Sequence, residues 1–142
     1  LCLYAPNLAP GEIDKFNGER TCRSNSPVKL VDAVVPCDAA ITNGSLNTVA
    51  ALLSYGKPVL ALPSSLERYM VGRRLELSGC GLMAPHAPGQ NLTAKLYAVL
   101  NDRGFARAAA HFSRSHASGT ALGQTDTMLA DIDRLLARDP GA

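Results

Sequence analysis

The chain has 142 residues, 46% of them hydrophobic and 18% charged, with a net charge of +2. That length suits one domain, 1–142, able to bury about two-thirds of its unfolded surface without help from a disulfide or a metal, and the composition excludes a disordered segment. So small a charge excludes a nucleic-acid-binding stripe or a membrane-binding face, which leaves small molecules and proteins as the expected partners.

In chain order, Leu1-Cys2-Leu3-Tyr4-Ala5 reads as a strand that is already under way, and with Leu1 in place of Met a fragment of a longer chain is expected. Pro6 to Pro27 is Gly-, Pro- and Asn-rich and reads as a loop or a poorly formed helix. Val28 to Val31 is a short β-rich run, Asp32 to Cys37 a turn or single helical turn, and Ala39 to Thr42 an apolar run of strand length. Asn43-Gly44-Ser45 is a cluster of turn and N-cap types, followed by Leu46, Val49, Ala50 and Leu53 at helical spacing, with Gly56 as the stop.

Pro58 to Leu62 is continuously apolar, as in a strand covered on both faces, and Pro63 ends it. Ser64 to Ser78 reads as a helix, with Ser64 and Glu67 at capping-box spacing and Leu66, Met70, Arg73 and Leu77 on one stripe. After Gly79, Gly81 to Met83 gives a last short strand, and helices are predicted over Leu92–Leu100, Asp102–Ser115 and Thr125–Ala137, each opened by an Asn, Asp or Thr. Strands alternating with helices across tight turns predict an α/β fold. The expected form is a Rossmann-like parallel sheet with helices on both faces and a helical C-terminus.

The chemistry concentrates between Asp38 and Gly81. A strand that ends in Thr42, turns through Asn43-Gly44-Ser45 and opens a helix near Asn47-Thr48 would aim several free N–H groups and the positive end of a helix dipole above the carboxyl edge of the sheet, where phosphate binds well. Gly44 would let backbone approach an anion, and Asn43, Ser45, Asn47 and Thr48 would donate side-chain hydrogen bonds. The plainer reading is that Ser45 or Asn47 caps a helix and Gly44 makes the turn. The loop Pro63 to Arg68 should lie beside this turn, where Glu67 could take two vicinal sugar hydroxyls or simply answer the Ser64 cap.

The run Cys37-Asp38-Ala39-Ala40-Ile41-Thr42-Asn43-Gly44-Ser45-Leu46-Asn47-Thr48-Val49 resembles the donor-site motif of the UDP-glycosyltransferase superfamily, in which a strand leads into a His-Gly-Gly-x-Gly-Thr-type turn. Tyr55 to Pro63 resembles the Gly-x-Pro-x-(apolar)-Pro segment that follows, Glu67-Arg68 stands where the family has an acidic residue and Gln, and Arg73 to Gly81 resembles the helix ending in Gly-x-Gly. The resemblance is strong over about 32–83. It implies the C-terminal half of a GT-B enzyme that transfers a hexose from a nucleoside-diphosphate sugar, the donor substrate, to an acceptor hydroxyl. No further cofactor is implied. The N-terminal acceptor domain or a separate acceptor-binding chain would then be a partner, and the family's catalytic base would belong to it, so no catalytic residue is expected here.

Carried over by position, Asn43, Gly44, Ser45, Asn47 and Thr48 would meet the diphosphate, Glu67 and Arg68 the sugar or ribose, and Val28 and Leu30 the base. Three residues depart from the pattern: Asn43 for His, Ser45 for Gly and Arg68 for Gln. They motivate two alternatives, a non-catalytic GT-B binding or scaffold module and a nucleotide-sugar epimerase.

Four cysteines, Cys2, Cys22, Cys37 and Cys80, lie without CxxC spacing and read as free thiols. His86, His111 and His116 form no triad or metal pattern, so no metal is expected. No apolar stretch approaches the roughly 18–20 residues of a membrane span, and with nothing resembling a signal peptide a cytoplasmic location is expected.

Overall fold

The computed structural model describes residues 2–3, 10–13, 22–24 and 28–116. They fall into two compact units, 1–37 and 38–142. In the first, β1 (Cys2–Leu3) pairs in parallel with β2 (Cys22–Arg23), and two helices follow the chain, α1 (Pro10–Ile13) and α2 (Leu30–Val34). Two expectations change here. The stretch 6–27, read as a loop or a poorly formed helix, holds the helical turn α1 and also the strand β2, which that reading did not include. The β-rich run from Val28 passes into α2, where the Asp32 and Ala33 amides both donate to the Lys29 carbonyl at 3.0 and 3.3 Å. Strand preference is realised only beside a paired strand, and a short run without one meets its backbone needs as a helix.

The second unit is a three-stranded parallel sheet of β3 (Ala40–Thr42), β4 (Val59–Ala61) and β5 (Gly81–Met83), in the order β3-β4-β5. The helices are α3 (Leu46–Ser54), α4 (Leu66–Leu77), α5 (Leu92–Asn101) and α6 (Arg103–Ser115). The register aligns Thr42 with Ala61 and Ala61 with Met83, so all three strands end level and their carboxyl edge is one line.

Central strand β4 is wholly buried, as its unbroken apolar run requires. On one face Leu60 and Ala84 form a core with Val99 of α5, flanked by Leu62, Leu82 and Leu96. On the other face lies α4, whose Gly72 meets the Met83 side chain so closely that an added Cβ would stand 2.9 Å from its sulfur. Helix α3 contributes Val49, Leu52 and Leu53, buried at helical spacing. Each such aliphatic side chain contributes roughly 1.5–3 kcal/mol when fully buried.

Helix α4 corrects a reading of the sequence. Leu66, Met70 and Leu77 are exposed at 78%, 57% and 72%, while Gly72 and Leu75 are buried. Apolar residues stand on both sides of this helix, so spacing alone does not choose its inner face; the small Gly72 does, because it allows close packing.

The helix ends are set locally. Gly56 and Gly79, both at φ +69°, stop α3 and α4. Asn91 Oδ1 accepts from the Ala94 amide at 2.9 Å, and Asp102 Oδ1 accepts from the Gly104 amide at 2.7 Å. Asp102→Ala should therefore cost about 1 kcal/mol of stability, read as a lower denaturation midpoint with unchanged slope.

Helix α6 packs on α3 and lies at the amino edge of the sheet. Ala110 abuts Gly56, Ala108 lies near Gly79, and the Ser113 hydroxyl donates to the Ser54 carbonyl at 2.6 Å. The outer edge of β5 is closed by side chains. The Met83 amide donates to Glu76 Oε1 at 3.2 Å, and the Met83 carbonyl accepts from Lys95 Nζ at 2.6 Å. Charged partners on an edge strand block pairing with another chain. The carboxyl edge at β3 and β4 is where the polar loops gather. Helix Thr125–Ala137 lies outside the described residues.

Candidate functional site

At the carboxyl edge, β3 delivers the chain into Asn43-Gly44-Ser45, and Ser45 caps α3. Gly44 is buried with φ +81°. A Cβ there would come within 3.4 Å of the Arg68 carbonyl and 3.5 Å of the Ala61 Cβ. The turn after β3 is thus seated against the start of α4, and the two loops predicted to be neighbours are neighbours. Gly44 serves its left-handed backbone angle and this close approach to Arg68 together.

The expectation of several open amides after Thr42 is narrowed. The Gly44 amide donates to Thr42 Oγ1 at 3.3 Å, the Ser45 amide to Asn43 Oδ1 at 3.1 Å, and the Thr48 amide to Ser45 Oγ at 3.4 Å. Small polar side chains at a strand-to-helix turn close rings on their own backbone, and each ring takes up one donor. The amides of Leu46 and Asn47, in the first helical turn, have no acceptor among the described residues. The Asn47 side chain is exposed beside them, and the first turn of α3 holds no acidic residue. A fixed positive end of a helix dipole therefore faces solvent here. The Ser45 hydroxyl also donates to Thr48 Oγ1 at 3.0 Å, so both side chains are held where they can meet a ligand.

The second loop differs in detail from its sequence reading. The cap of α4 is Ser65, which accepts from the Arg68 amide at 3.4 Å. Ser64 instead accepts from Arg68 Nη1 at 2.9 Å. The shift by one residue takes Glu67 out of the capping-box position, and its exposed carboxylate makes no hydrogen bond among the described residues. The bland role weighed for Glu67 is gone. Arg68 is held between the loop and the turn, its backbone against Gly44 and its guanidinium folded onto Ser64.

Val28, half-buried, and Leu30, the first residue of α2, belong to unit 1–37, and the turn belongs to unit 38–142. His86 and His111 are exposed, and His116 stacks on Phe112 with ring centroids 4.1 Å apart. No group of three or more His, Cys, Asp or Glu among the described residues could hold a metal ion. A shallow depression lined by Arg103, Ala106, Arg107 and Ala110 lies on α6, whose contacts are at the opposite edge of the sheet. No described helix is long and apolar enough to cross a membrane.

Sequence reading missed Thr42 and Leu46. Thr42 was counted only as the end of a strand, yet its hydroxyl holds the Gly44 amide. A Thr two residues before a Gly at a strand end is a signal for such a ring. Leu46 contributes through its backbone, which no side-chain pattern reveals.

No protein-family model matches the chain. In sequence it is similar to the zeaxanthin glucosyltransferase of Pseudescherichia vulneris, 31% identical over 103 residues, which covers 70% of this chain and 24% of that relative's length. Among solved structures it is similar to the spinosyn forosaminyltransferase SpnP, at 22% identity and TM-score 0.70, over 84% of this chain and 31% of that one. It is also similar to glycosyltransferase VinC in complex with DTDP, at 19% identity and TM-score 0.70, over 87% of this chain and 32% of the other. The glycosyltransferase SnogD from Streptomyces nogalater matches at 21% identity and TM-score 0.63, over 80% of this chain and 31% of that one. The chain spans about a quarter of that relative and about a third of each of these structures, and its fold is the α/β, Rossmann-like fold found in the C-terminal half of GT-B glycosyltransferases.

Proposed function

We propose that this chain is the donor half of a glycosyltransferase that moves a hexose from a nucleoside-diphosphate sugar to an acceptor hydroxyl, the acceptor and the catalytic base being supplied by an N-terminal domain or a separate chain. The observation that carries the reading is the seating of Gly44 against the Arg68 backbone, which brings the turn that opens α3 up to the first turn of α4, where Glu67 and Arg68 stand.

In this proposal the Leu46 and Asn47 amides and the α3 dipole hold the diphosphate, with Asn47, Ser45 and Thr48 adding side-chain contacts. Asn43 acts by bracing the Ser45 amide, and Gly44 by keeping the turn low against α4. Glu67 accepts from hydroxyls of the sugar or ribose. Arg68 supplies a charge for the outer phosphate or a carboxylated sugar. Charge develops on the departing diphosphate as the glycosidic bond breaks, and donors already aimed at that position stabilise it without reorganising. The chain's part in catalysis is therefore positioning and electrostatic stabilisation.

Titration with UDP, dTDP and their sugars tests this. At a ligand concentration of about 100 Kd the folded state should gain about 2.7 kcal/mol, seen as a rise in Tm. Absence of a rise both for this chain and for a longer protein containing it would end the proposal. A second reading, a non-catalytic binding module, is favoured by one observation: Asn43 spends its oxygen on the Ser45 amide rather than facing a ligand. Under that reading Asn43→His leaves nucleotide affinity unchanged, whereas under the first it changes it.

A further inference from the structure

We propose that the outer face of α4 pairs with the same face of a second copy of this chain, the two helices running antiparallel about a two-fold axis. The residues of that face, Leu66, Met70, Arg73 and Leu77, are all exposed, with Tyr69 beside them. Their spacing of four, three and four residues is that of the seam positions of a heptad, Met70 and Leu77 at a, Leu66 and Arg73 at d. The buried residues of the helix, Gly72 and Leu75, fall on the opposite side, where Gly72 meets Met83. Helix α4 thus has one face closed by its own unit and one mainly apolar seam in water, and such a seam is what a second helix packs against.

The seam is complementary to itself only when one helix is reversed. Leu66 then meets Leu77 of the second copy and Met70 meets its Arg73, which the two-fold axis repeats to give four layers over about 16 Å. Glu67 and Arg74 stand at the e positions on the flank of the seam, and reversal sets each against the other in the second copy. Both are exposed, and neither side chain makes a hydrogen bond or ion pair among the described residues. In a parallel pair e positions meet g positions, so Arg74 would face Tyr69 and Glu67 would face no residue of the helix. Arg73, the charged member of the seam, is paired with Glu76 of its own helix at 2.9 Å, so its stem covers Met70 of the second copy while its head stays in water. A single polar residue in such a seam lowers stability and fixes the register. The Glu67 carboxylate has about four acceptor positions, so pairing with Arg74 is compatible with the sugar contact proposed above.

Sedimentation equilibrium of the full chain, from about 10 μM to 1 mM, should show the mass rise from 14.9 kDa towards twice that value, since four layers make a small interface and a weak dimer. Leu77→Glu puts a charge into an exposed end of the seam and should weaken association about tenfold or more with Tm unchanged. A charge exchange tests the antiparallel pairing itself. Glu67→Arg and Arg74→Glu each bring like charges together on both flanks, and each alone should weaken the dimer about five- to thirtyfold. Mixed in equal amounts, the two variants restore both attractions and should form a heterodimer about as tight as the parent dimer. A parent chain that stays monomeric at the highest concentration, Leu77→Glu dimers of parental strength, or a mixture no tighter than its two components would each overturn the proposal. The mass of the unsubstituted chain needs no variant to fold, and none of these readouts depends on nucleotide binding.

Discussion

Replacing Gly81 by Ala should unfold much of unit 38–142. Gly81 sits in β5 opposite Val59, and a Cβ built on it would collide with the Val59 carbonyl oxygen and lie 2.9 Å from the Val59 carbonyl carbon. No rotamer relieves a clash between a Cβ and a neighbouring backbone, so β4 and β5 would have to separate. All three side chains of strand β4, Val59, Leu60 and Ala61, are at 0% exposure. Separation there opens the core. A cost of about 3 kcal/mol or more is expected, against a total stability of about 5–15 kcal/mol for a domain. In a unit of this size each kcal/mol moves Tm by about 4–8 °C, so a fall of about 12 °C or more should appear in a thermal melt. Gly11→Ala is the control. Among the described residues nothing lies within 4 Å of its added Cβ, and within α1 the change should be neutral or slightly stabilising. If Gly81→Ala melts within about 2 °C of the parent, the Val59–Gly81 register is wrong and the line of strand ends that positions the site goes with it.

The second large effect separates a capping role from a binding role at Ser45. Ser45→Asp keeps an oxygen for the Thr48 amide, and Asp ranks with Ser as an N-cap. The added charge also suits the helix N-terminus by about 0.3–1 kcal/mol, so the variant should be as stable as the parent or slightly more so. For a diphosphate the same carboxylate is a like charge at close range. Two unit charges 4 Å apart repel by about 4 kcal/mol at an effective dielectric of 20, and screening at this half-buried position reduces that to about 2–3 kcal/mol. Nucleotide affinity should drop about 30- to 150-fold by calorimetry. Ser45→Ala should show the reverse: about 1 kcal/mol less stability, with a smaller loss of affinity. Equal affinity in Ser45→Asp and the parent would leave the turn as a helix cap and nothing more.

Much of the second unit was legible because its signals are local. Asn91 and Asp102 open α5 and α6 as predicted, since a cap needs only an oxygen two or three residues before an amide. Gly56 and Gly79 mark helix ends because a left-handed backbone angle favours glycine in any sequence. The apolar run around Val59 identified a buried strand, and alternation of such runs with helices was enough for a parallel sheet. The same locality explains near misses. Ser64 and Ser65 are equally able to cap, and which one does so depends on where β4 releases the chain.

By itself, then, the sequence determined the order and kind of the elements in 38–116, the helix stops and the two polar loops of the site, all through periodicity and through bonds that close within a few residues. Only the tertiary structure decided which side of α4 turns inward, which amides of the 43–48 turn stay open and how Glu76 and Lys95 close the edge of β5. Those outcomes depend on packing, on strand register and on competition among acceptors brought together by folding, and nothing in a linear order of residues encodes distance across a sheet.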